Sequence, residues 1–460
     1  MPVDAIGAAP VLARRSDDAP TVTAAVTDRR RIVSWYAAFA TFACVVFATS
    51  GQPAQWVWAI WAAGGYGLAA VIAAVWRSRG SVAAPVIALT GALAAPLAWQ
   101  ATLGSKMSRA DEASLKVVAR SAVLLLRHGT PYLPADQISH VLQYNPYEPA
   151  MAVFGLPAAL GLHGAAGNPR LWMGLTAAAT LAAAFRLATR GTAPRSTAFA
   201  FSSPMLALPL TLGLTDAPVV ALLILTLACT MASPGRRVQV TAAIALGAAC
   251  AIKATAWPAL PVIVAMLAAR EGSRAAIRFV VRAGLTTAAL VAVTAPASLT
   301  APAALFQNTV LFPLGMTRYQ TEAASPLPGH LLAATGLAGR WAAIGLLCAA
   351  SLAVGASLVI KPPADTRSAA LRLAIALVTL FALAPATRWG YFVYPAALLA
   401  FVSMTADARA AGARARRSKP EILMQIPSPR RAEGIRPFPD AATQPGGAPA
   451  RADDQCALNL

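Results

Sequence analysis

Long apolar runs alternate with short polar turns over most of the chain, from Ile32 to Thr405. The apolar runs are about 17–22 residues long, which matches the helix length needed to cross a hydrocarbon core about 30 Å thick. Because backbone polar groups in lipid must be satisfied within the segment itself, such runs form helices. The pattern predicts an all-α polytopic membrane protein of about 12–13 helices.

The candidate spans follow one another with short connections, apart from two longer polar interruptions. They are residues 32–50, 56–76, 82–103, 171–189, 196–214, 217–232, 238–253, 255–269, 276–297, 340–360, 369–386 and 389–406.

A further apolar run, 151–162, is too short to cross the bilayer comfortably and contains Gly155, Pro157 and Gly161. If it crossed, the basic turn at 190–195 would lie outside, against the tendency of basic residues to remain in the cytoplasm. We therefore expect a re-entrant segment or half-helix here.

The composition and the charge agree with a membrane protein. Only 12% of the residues are charged, against about 25% in soluble domains. The net charge of +20 comes from basic residues in short turns and in both tails, which is typical of cytoplasmic segments. We expect an inner (plasma) membrane protein with both termini in the cytoplasm and anionic lipids as partners. Nucleic acid is not expected as a partner, and only the basic C-terminal tail leaves that reading open.

This topology divides the chain into three parts. Residues 1–31 form a cytoplasmic tail, residues 32–406 the transmembrane domain, and residues 407–460 a basic cytoplasmic tail, both tails being disordered. Two polar loops fall on the outer side: the first loop, 104–149, and the second loop, 298–329. The first loop is long for a membrane-protein connection, and long loops are commonly functional.

The first loop contains one amphipathic helix. Leu115, Val118, Ala122 and Leu125 recur at helical spacing, which predicts a helix over 111–128, the loop helix. The opposite face carries Glu112, Lys116, Arg120 and Arg127. A helix of this kind lies in the plane of the membrane interface, with its basic face toward water or phosphate. Gly129 ends the helix.

Asp111 and Glu112 open the loop helix just outside the membrane. A carboxylate at this position could accept a proton from a substrate hydroxyl held at the interface. The alternative is that both carboxylates stabilise the positive end of the helix dipole and pair with Lys116. The spacing alone leaves both readings open.

The first loop resembles the corresponding loop of GT-C-type membrane glycosyltransferases, and most closely that of the actinobacterial polyprenyl-phosphate-mannose-dependent α-mannosyltransferases. That family places an Asp after a membrane helix, then an interfacial helix, a Leu-Leu-x-Gly-x-x-Pro-Tyr segment and a Tyr/Pro-rich return to the membrane. In the family the Asp usually follows the first span, whereas Asp111 follows the third. The matching residues are Asp111, then Leu124-Leu-Leu-Arg-His-Gly-Thr-Pro-Tyr132, then Tyr144-Asn-Pro-Tyr147.

The resemblance implies a GT-C-like fold and a glycosyltransferase activity on the outer face. The donor would be a polyprenyl-phosphate sugar, mannose-like, and the acceptor a lipid-linked or cell-envelope glycan. In an inverting single displacement, Asp111 would act as the general base.

Several further residues are candidates for substrate binding, among them Glu112 beside Asp111. Lys253 or Arg388 could stabilise the negative charge on the departing lipid phosphate, although Lys253 could also simply reach the outer interface. Asp216 lies where a further outer loop of the family often carries an acidic residue. Tyrosines in the first loop could stack on sugar rings, or could belong to the aromatic belt of the membrane interface; these are Tyr132, Tyr144 and Tyr147.

No cofactor follows with certainty from the sequence. The five cysteines are scattered, without the spacing of a disulfide framework or a zinc site. Carboxylates of the first loop could supply oxygen ligands to a divalent cation, but no spacing specifies a metal site. These carboxylates are Asp111, Glu112, Asp136 and Glu148.

Two other functions remain as alternatives. A transporter or flippase for a lipid-linked or small polar substrate would predict broken helices in two matching halves, with charges in mid-membrane. A non-catalytic scaffold would use the basic tail as its interaction arm. The polar loop with a carboxylate at its start favours an enzyme.

Overall fold

The computed structural model describes residues 22–50, 52–76, 82–102, 110–189, 194–212, 214–232 and 236–417. These residues are almost entirely helical and contain no β-strand beyond an isolated bridge between Ala324 and Thr387. The fold described below belongs to the compact unit that ends at Ala413. The predicted tails, 1–31 and 407–460, lie largely outside the described residues.

Among the described residues, eight helices are long and apolar enough to cross a membrane, so the predicted class of multi-pass, all-α membrane protein is confirmed. Their outward faces carry large apolar side chains, for example Leu352 and Val359. The eight are Arg29–Thr49, Pro53–Val75, Ala83–Gln100, Pro169–Thr189, Ser273–Thr294, Leu337–Ile360, Thr366–Leu383 and Trp389–Ala406.

The remaining predicted spans correspond to shorter helices. Ala217–Met231 has 15 residues and covers about 22 Å at 1.5 Å per residue, less than the thickness of the hydrocarbon core. Most of its side chains are buried by other helices, so its length need not match the bilayer. Arg236–Ile252 and Ala259–Glu271 are also short.

The run predicted as 196–214 is divided into two helices, Pro194–Ser202 and Pro204–Leu212. The break falls at Ser203, because a proline disfavours helical backbone in the residue before it. Apolar content alone predicts the run correctly but not this division.

Close helix packing depends on glycine at one contact near the N-terminus. A Cβ atom on Gly65 would lie 2.7 Å from the Cα atom of Gly91 on the neighbouring helix. The indole of Trp58 donates a hydrogen bond of 2.9 Å to the carbonyl of Ala92 beside this contact. Small residues at such crossings let membrane helices approach closely.

The loop helix extends over Ala110–His128, as predicted. It ends at Gly129, whose φ of 67° is favourable for glycine. Its buried side includes Val117, Val118 and Ala122.

The apolar run predicted at 151–162 is a short helical stretch and not a full-length span. It consists of a 3-10 helix, Pro149–Gly155, followed by one α-helical turn, Leu156–Ala159. It packs directly on the loop helix, since a Cβ atom on Gly155 would lie 2.5 Å from the carbonyl oxygen of Val118. The stretch is therefore covered by protein along this side.

Polar turns collect at the two ends of the helix bundle. At one end, the turns that carry Asp216 and Lys253 meet each other. At the other end, Arg270 donates a hydrogen bond of 3.2 Å to the carbonyl of Thr230, and the Thr230 hydroxyl lies 3.4 Å from that of Thr366. Basic turns near Arg270 thus lie opposite the Asp216 end, and the orientation of these ends in the cell stays a prediction.

Candidate active site

The first and second loops lie against each other at one end of the bundle. The backbone N–H of Asn145 donates a hydrogen bond of 2.8 Å to the side-chain oxygen of Asn308. The Asn308 amide in turn donates to the carbonyl of Leu133 at 3.3 Å. The hydroxyls of Thr130 and Ser298 lie 2.9 Å apart. These contacts fix the return of the first loop toward the membrane.

Arg120 has a structural position inside the first loop. Its guanidinium donates hydrogen bonds of 2.6 Å to the carbonyl of Leu142 and 2.8 Å to that of Gln143. The helical pattern predicts Arg120 on the water-facing side of the loop helix, but the guanidinium is engaged with backbone carbonyls instead. The basic face of the loop helix is therefore reduced to Lys116 and Arg127, which are exposed.

Two of the predicted tyrosines stabilise the loop. Tyr132 is 2% exposed and is not among the residues that line the cavity described below. Its hydroxyl donates a hydrogen bond of 2.8 Å to the carbonyl of Tyr147. Burial raises the pKa of Tyr132 well above its ordinary value. The ring of Tyr144 stacks on Phe312 of the second loop, with centroids 4.4 Å apart and planes at 8°. For Tyr147, the third predicted tyrosine, the described residues show neither a hydrogen bond from its hydroxyl nor a stacked ring.

A cavity of about 250 Å³ lies between the two loops and the ends of the membrane helices. It brings together residues that are far apart in the sequence. Among the predicted site residues, those that line it are Tyr144, Tyr147, Asp216, Lys253 and Arg388.

Lys253 is a buried cationic residue that lines this cavity. It is 6% exposed and forms an ion pair with Oδ1 of Asp216. Its Nζ atom also lies 4.9 Å from the ring centroid of Tyr391 and 5.5 Å from that of Tyr147. A buried ammonium needs such an anionic and aromatic surrounding to offset its lost hydration.

Short polar turns place both members of the ion pair. Lys253 follows the last residue of the helix Arg236–Ile252 and has extended backbone, with φ −157° and ψ 138°. Asp216 is the N-cap residue of the helix Ala217–Met231, which has proline near its start. Both side chains therefore extend from helix ends, where the chain turns.

Two hydroxyl groups continue this cluster. The hydroxyl of Tyr394 donates a hydrogen bond of 2.7 Å to Oδ1 of Asp216. The hydroxyl of Thr255 donates to the Tyr394 oxygen at 2.8 Å. Oδ1 of Asp216 thus accepts from both Lys253 and Tyr394, and Lys253 retains two N–H groups beyond this ion pair.

Arg388 and Glu322 form the rim of the cavity. Both side chains are exposed and line the cavity. They are held near each other because the N–H of Thr387 donates to the carbonyl of Ala323 at 2.9 Å, and the N–H of Ser325 donates to the carbonyl of Thr387 at 3.1 Å. No ion pair joins either charged group to another residue of the described ranges. The rim therefore presents a guanidinium and a carboxylate to any molecule in the cavity.

The proposed base falls at the first turn of the loop helix. The backbone of Asp111 and Glu112 belongs to the helix Ala110–His128, but their side chains lie outside the described residues. Ala113 and Ser114, which follow them directly, line the cavity. The first turn of the loop helix thus borders the same cavity as Lys253.

The described residues provide few side chains that could together bind a metal ion. Among those residues no group of three His, Cys, Asp or Glu side chains lies close enough to hold one. Asp136 is exposed. Burial raises the pKa of Glu148 to about 7, and its backbone N–H donates to the carbonyl of Ile252 at 3.2 Å.

Four residues that sequence reasoning missed contribute to the site: Thr255, Glu322, Tyr391 and Tyr394. Tyr391 and Tyr394 follow Arg388 at helical spacing, so the pattern after Arg388 was the available signal. It was hidden because tyrosines near a span end are also typical of the aromatic belt. Nothing in the local sequence distinguishes Glu322 from an ordinary solvated carboxylate.

Comparison with protein-family models, with curated proteins and with solved structures finds no match.

Proposed function

We propose that the protein is an integral membrane glycosyltransferase that moves a sugar from a polyprenyl-phosphate donor to a lipid-linked or cell-envelope glycan acceptor. The observation that carries this proposal is the cavity itself. It combines a buried lysine, an exposed arginine and the first turn of the loop helix at the polar end of a membrane bundle.

The phosphate of the donor is assigned to the cationic groups. Lys253 has N–H groups left beyond its ion pair with Asp216. Arg388 can bind two phosphate oxygens through its planar fork. Both groups lie at the ends of helices, where a lipid phosphate would reach while its polyprenyl chain remains in the bilayer.

The reaction assigned to this site is an inverting displacement. The acceptor hydroxyl oxygen attacks the anomeric carbon while the bond between that carbon and the phosphate oxygen breaks. Asp111 takes the hydroxyl proton, and the bonding electron pair leaves with the polyprenyl phosphate. Lys253 and Arg388 stabilise the negative charge that develops on this leaving group.

Rings that border the cavity are assigned to the sugar. Tyr147 and Tyr391 flank Lys253 at the distances given above. Their hydroxyls and ring faces suit a polar molecule with apolar C–H surfaces.

The transporter alternative is less well supported by this arrangement. It predicts charges in the middle of membrane spans, whereas Lys253 and Asp216 both lie at helix ends.

The test is sugar transfer by membranes that contain the full chain, with a radiolabelled polyprenyl-phosphate mannose as donor. We expect wild-type membranes to move label into a glycan or glycolipid fraction. Asp111→Asn should lower the rate about 10²- to 10⁴-fold, the usual contribution of a general base.

Asp136→Asn is the control, since it removes an exposed carboxylate elsewhere in the first loop. We expect it to retain transfer close to that of the wild type. Full transfer by Asp111→Asn would remove the assigned base, and absence of transfer by the wild type with lipid-phosphate sugars would contradict the proposed function.

A further inference from the structure

One face of the helix Ser273–Thr294 combines arginine with exposed apolar side chains. Arg274 and Arg278 are both exposed and lie one helical turn apart. Val281 and Leu285 continue the same face and are 52% and 65% exposed, and Ile277 beside them is 61% exposed. In a membrane-spanning helix, such exposed apolar side chains contact lipid tails. The two arginines therefore lie where this lipid-facing stripe begins, at the depth of lipid head groups.

Some arginines of the bundle are engaged within the protein. Arg270 donates to the carbonyl of Thr230 at 3.2 Å, and Arg372 donates to the hydroxyl of Ser357 at 2.8 Å. By contrast, no hydrogen bond or ion pair joins Arg274 or Arg278 to another described residue. Both exposed guanidinium groups can therefore bind an anion.

The charge around these arginines is not balanced nearby. The helix Ser273–Thr294 contains no acidic residue. Glu271, just before it, accepts a hydrogen bond of 2.6 Å from the amide of Gln239 and lies 3.9 Å from Arg270. An anionic ligand would therefore meet two positive charges without a competing carboxylate on this face.

We infer that Arg274 and Arg278 form a binding site for the phosphate of an anionic phospholipid. Two guanidiniums separated by about 6 Å along a helix can each direct paired N–H groups at one phosphate. A zwitterionic phospholipid fits less well, because its own ammonium group offsets the phosphate charge. The site lies at the end of the bundle opposite the Lys253 cavity and does not depend on the proposed sugar transfer.

The test measures the thermal stability of the purified full chain in neutral detergent during titration with phosphatidylglycerol or phosphatidylcholine. A ligand that binds the folded protein raises the Tm with concentration. We expect phosphatidylglycerol to raise the Tm of the wild type more than phosphatidylcholine does, and inorganic phosphate to give no rise. The double variant Arg274→Gln/Arg278→Gln should lose at least half of the response to phosphatidylglycerol.

Arg270→Gln is the matched control, because it removes the same charge from a guanidinium that the protein already uses. It should keep the wild-type response. The double lysine variant, Arg274→Lys/Arg278→Lys, covers the case in which the glutamine variant does not fold, and should show a reduced response because lysine lacks the planar fork. A wild-type response in both double variants, an equal loss in Arg270→Gln, or equal responses to the two lipids would overturn the inference.

Discussion

Lys253 is the residue on which the candidate site depends most, and its surroundings are built from three other parts of the chain. Asp216 neutralises it, Tyr147 and Tyr391 flank it, and Tyr394 supports Asp216. Each of these groups alone has an ordinary explanation at a membrane interface. Together they hold one ammonium group at a fixed place beside a cavity.

The buried ion pair predicts strong coupling between its two members. Asp216→Asn leaves the Lys253 ammonium buried without its counter-charge, which costs about 3–5 kcal/mol when a buried pair is broken. Lys253→Met likewise leaves the Asp216 carboxylate buried without its counter-charge. Changing both residues together should destabilise by less than the sum of the single changes, because the double variant has no unpaired buried charge. Chemical denaturation of the purified protein in detergent measures this, and additive losses would contradict the coupling.

The hydroxyl of Tyr394 predicts a smaller effect at the same cluster. Tyr394→Phe removes one donor to Asp216 and should lower the free energy of unfolding by about 1–2 kcal/mol. Thr255→Val is the comparison, since it removes only the outer hydrogen bond of the chain. We expect a smaller loss for Thr255→Val in the same denaturation experiment, and an equal or larger loss would argue against the role of Tyr394 as the direct support of Asp216.

Glu148 predicts a pH dependence of stability. Burial raises its folded-state pKa to about 7 from an ordinary value of 4.5. Between these two pH values, the folded protein therefore holds a proton that the unfolded chain has lost. The free energy of unfolding should therefore fall as the pH rises from about 4.5 to about 7, and this contribution is constant outside that window. Glu148→Gln cannot ionise and should show a flatter profile in thermal unfolding measured across this range. Parallel profiles for the wild type and the variant would contradict the assignment.

At the scale of elements, helices with a clear one-sided pattern are the parts that sequence predicts well. The loop helix has apolar residues at helical spacing and a glycine at its end, and its observed bounds agree with the prediction. The central helix Ala217–Met231 is apolar on all sides, so hydropathy alone cannot distinguish a short buried helix from a full span. The meeting of Lys253 with Asp216 depends on how separate helices pack, and no local pattern contains that information.

Helix packing near the N-terminus gives a prediction at this scale. Gly65→Ala places a methyl group 2.7 Å from the Cα atom of Gly91, so the two helices must move apart. We expect a loss of about 1–3 kcal/mol, as for other overpacked contacts. Gly67→Ala is the control in the same helix, because nothing lies within 4 Å of its added Cβ atom. Thermal unfolding in detergent compares the two, and equal stability would show that the close contact does not constrain the fold.

For the whole molecule, the polar features of the described residues are divided between the two ends of the bundle. One end has the two loops, the cavity and the Lys253 cluster. The other has basic turns, with Arg270 bound to Thr230 and the pair Arg274 and Arg278 facing outward. The proposed function assigns the first end to the outer side, and the tendency of basic residues to remain in the cytoplasm predicts that the second end is the inner one.

The most direct test of the central claim asks where a lipid-phosphate donor binds. A photoreactive polyprenyl-phosphate mannose, with the reactive group on the sugar, is irradiated with the purified full chain in liposomes, and the labelled peptides are identified by mass spectrometry. We predict labels on the peptides that contain Tyr144 to Tyr147 and Arg388 to Tyr391, removed by excess unlabelled donor and strongly reduced in Arg388→Ala. Labels elsewhere in the chain, or labels that excess donor does not remove, would contradict the claim that this cavity binds the donor.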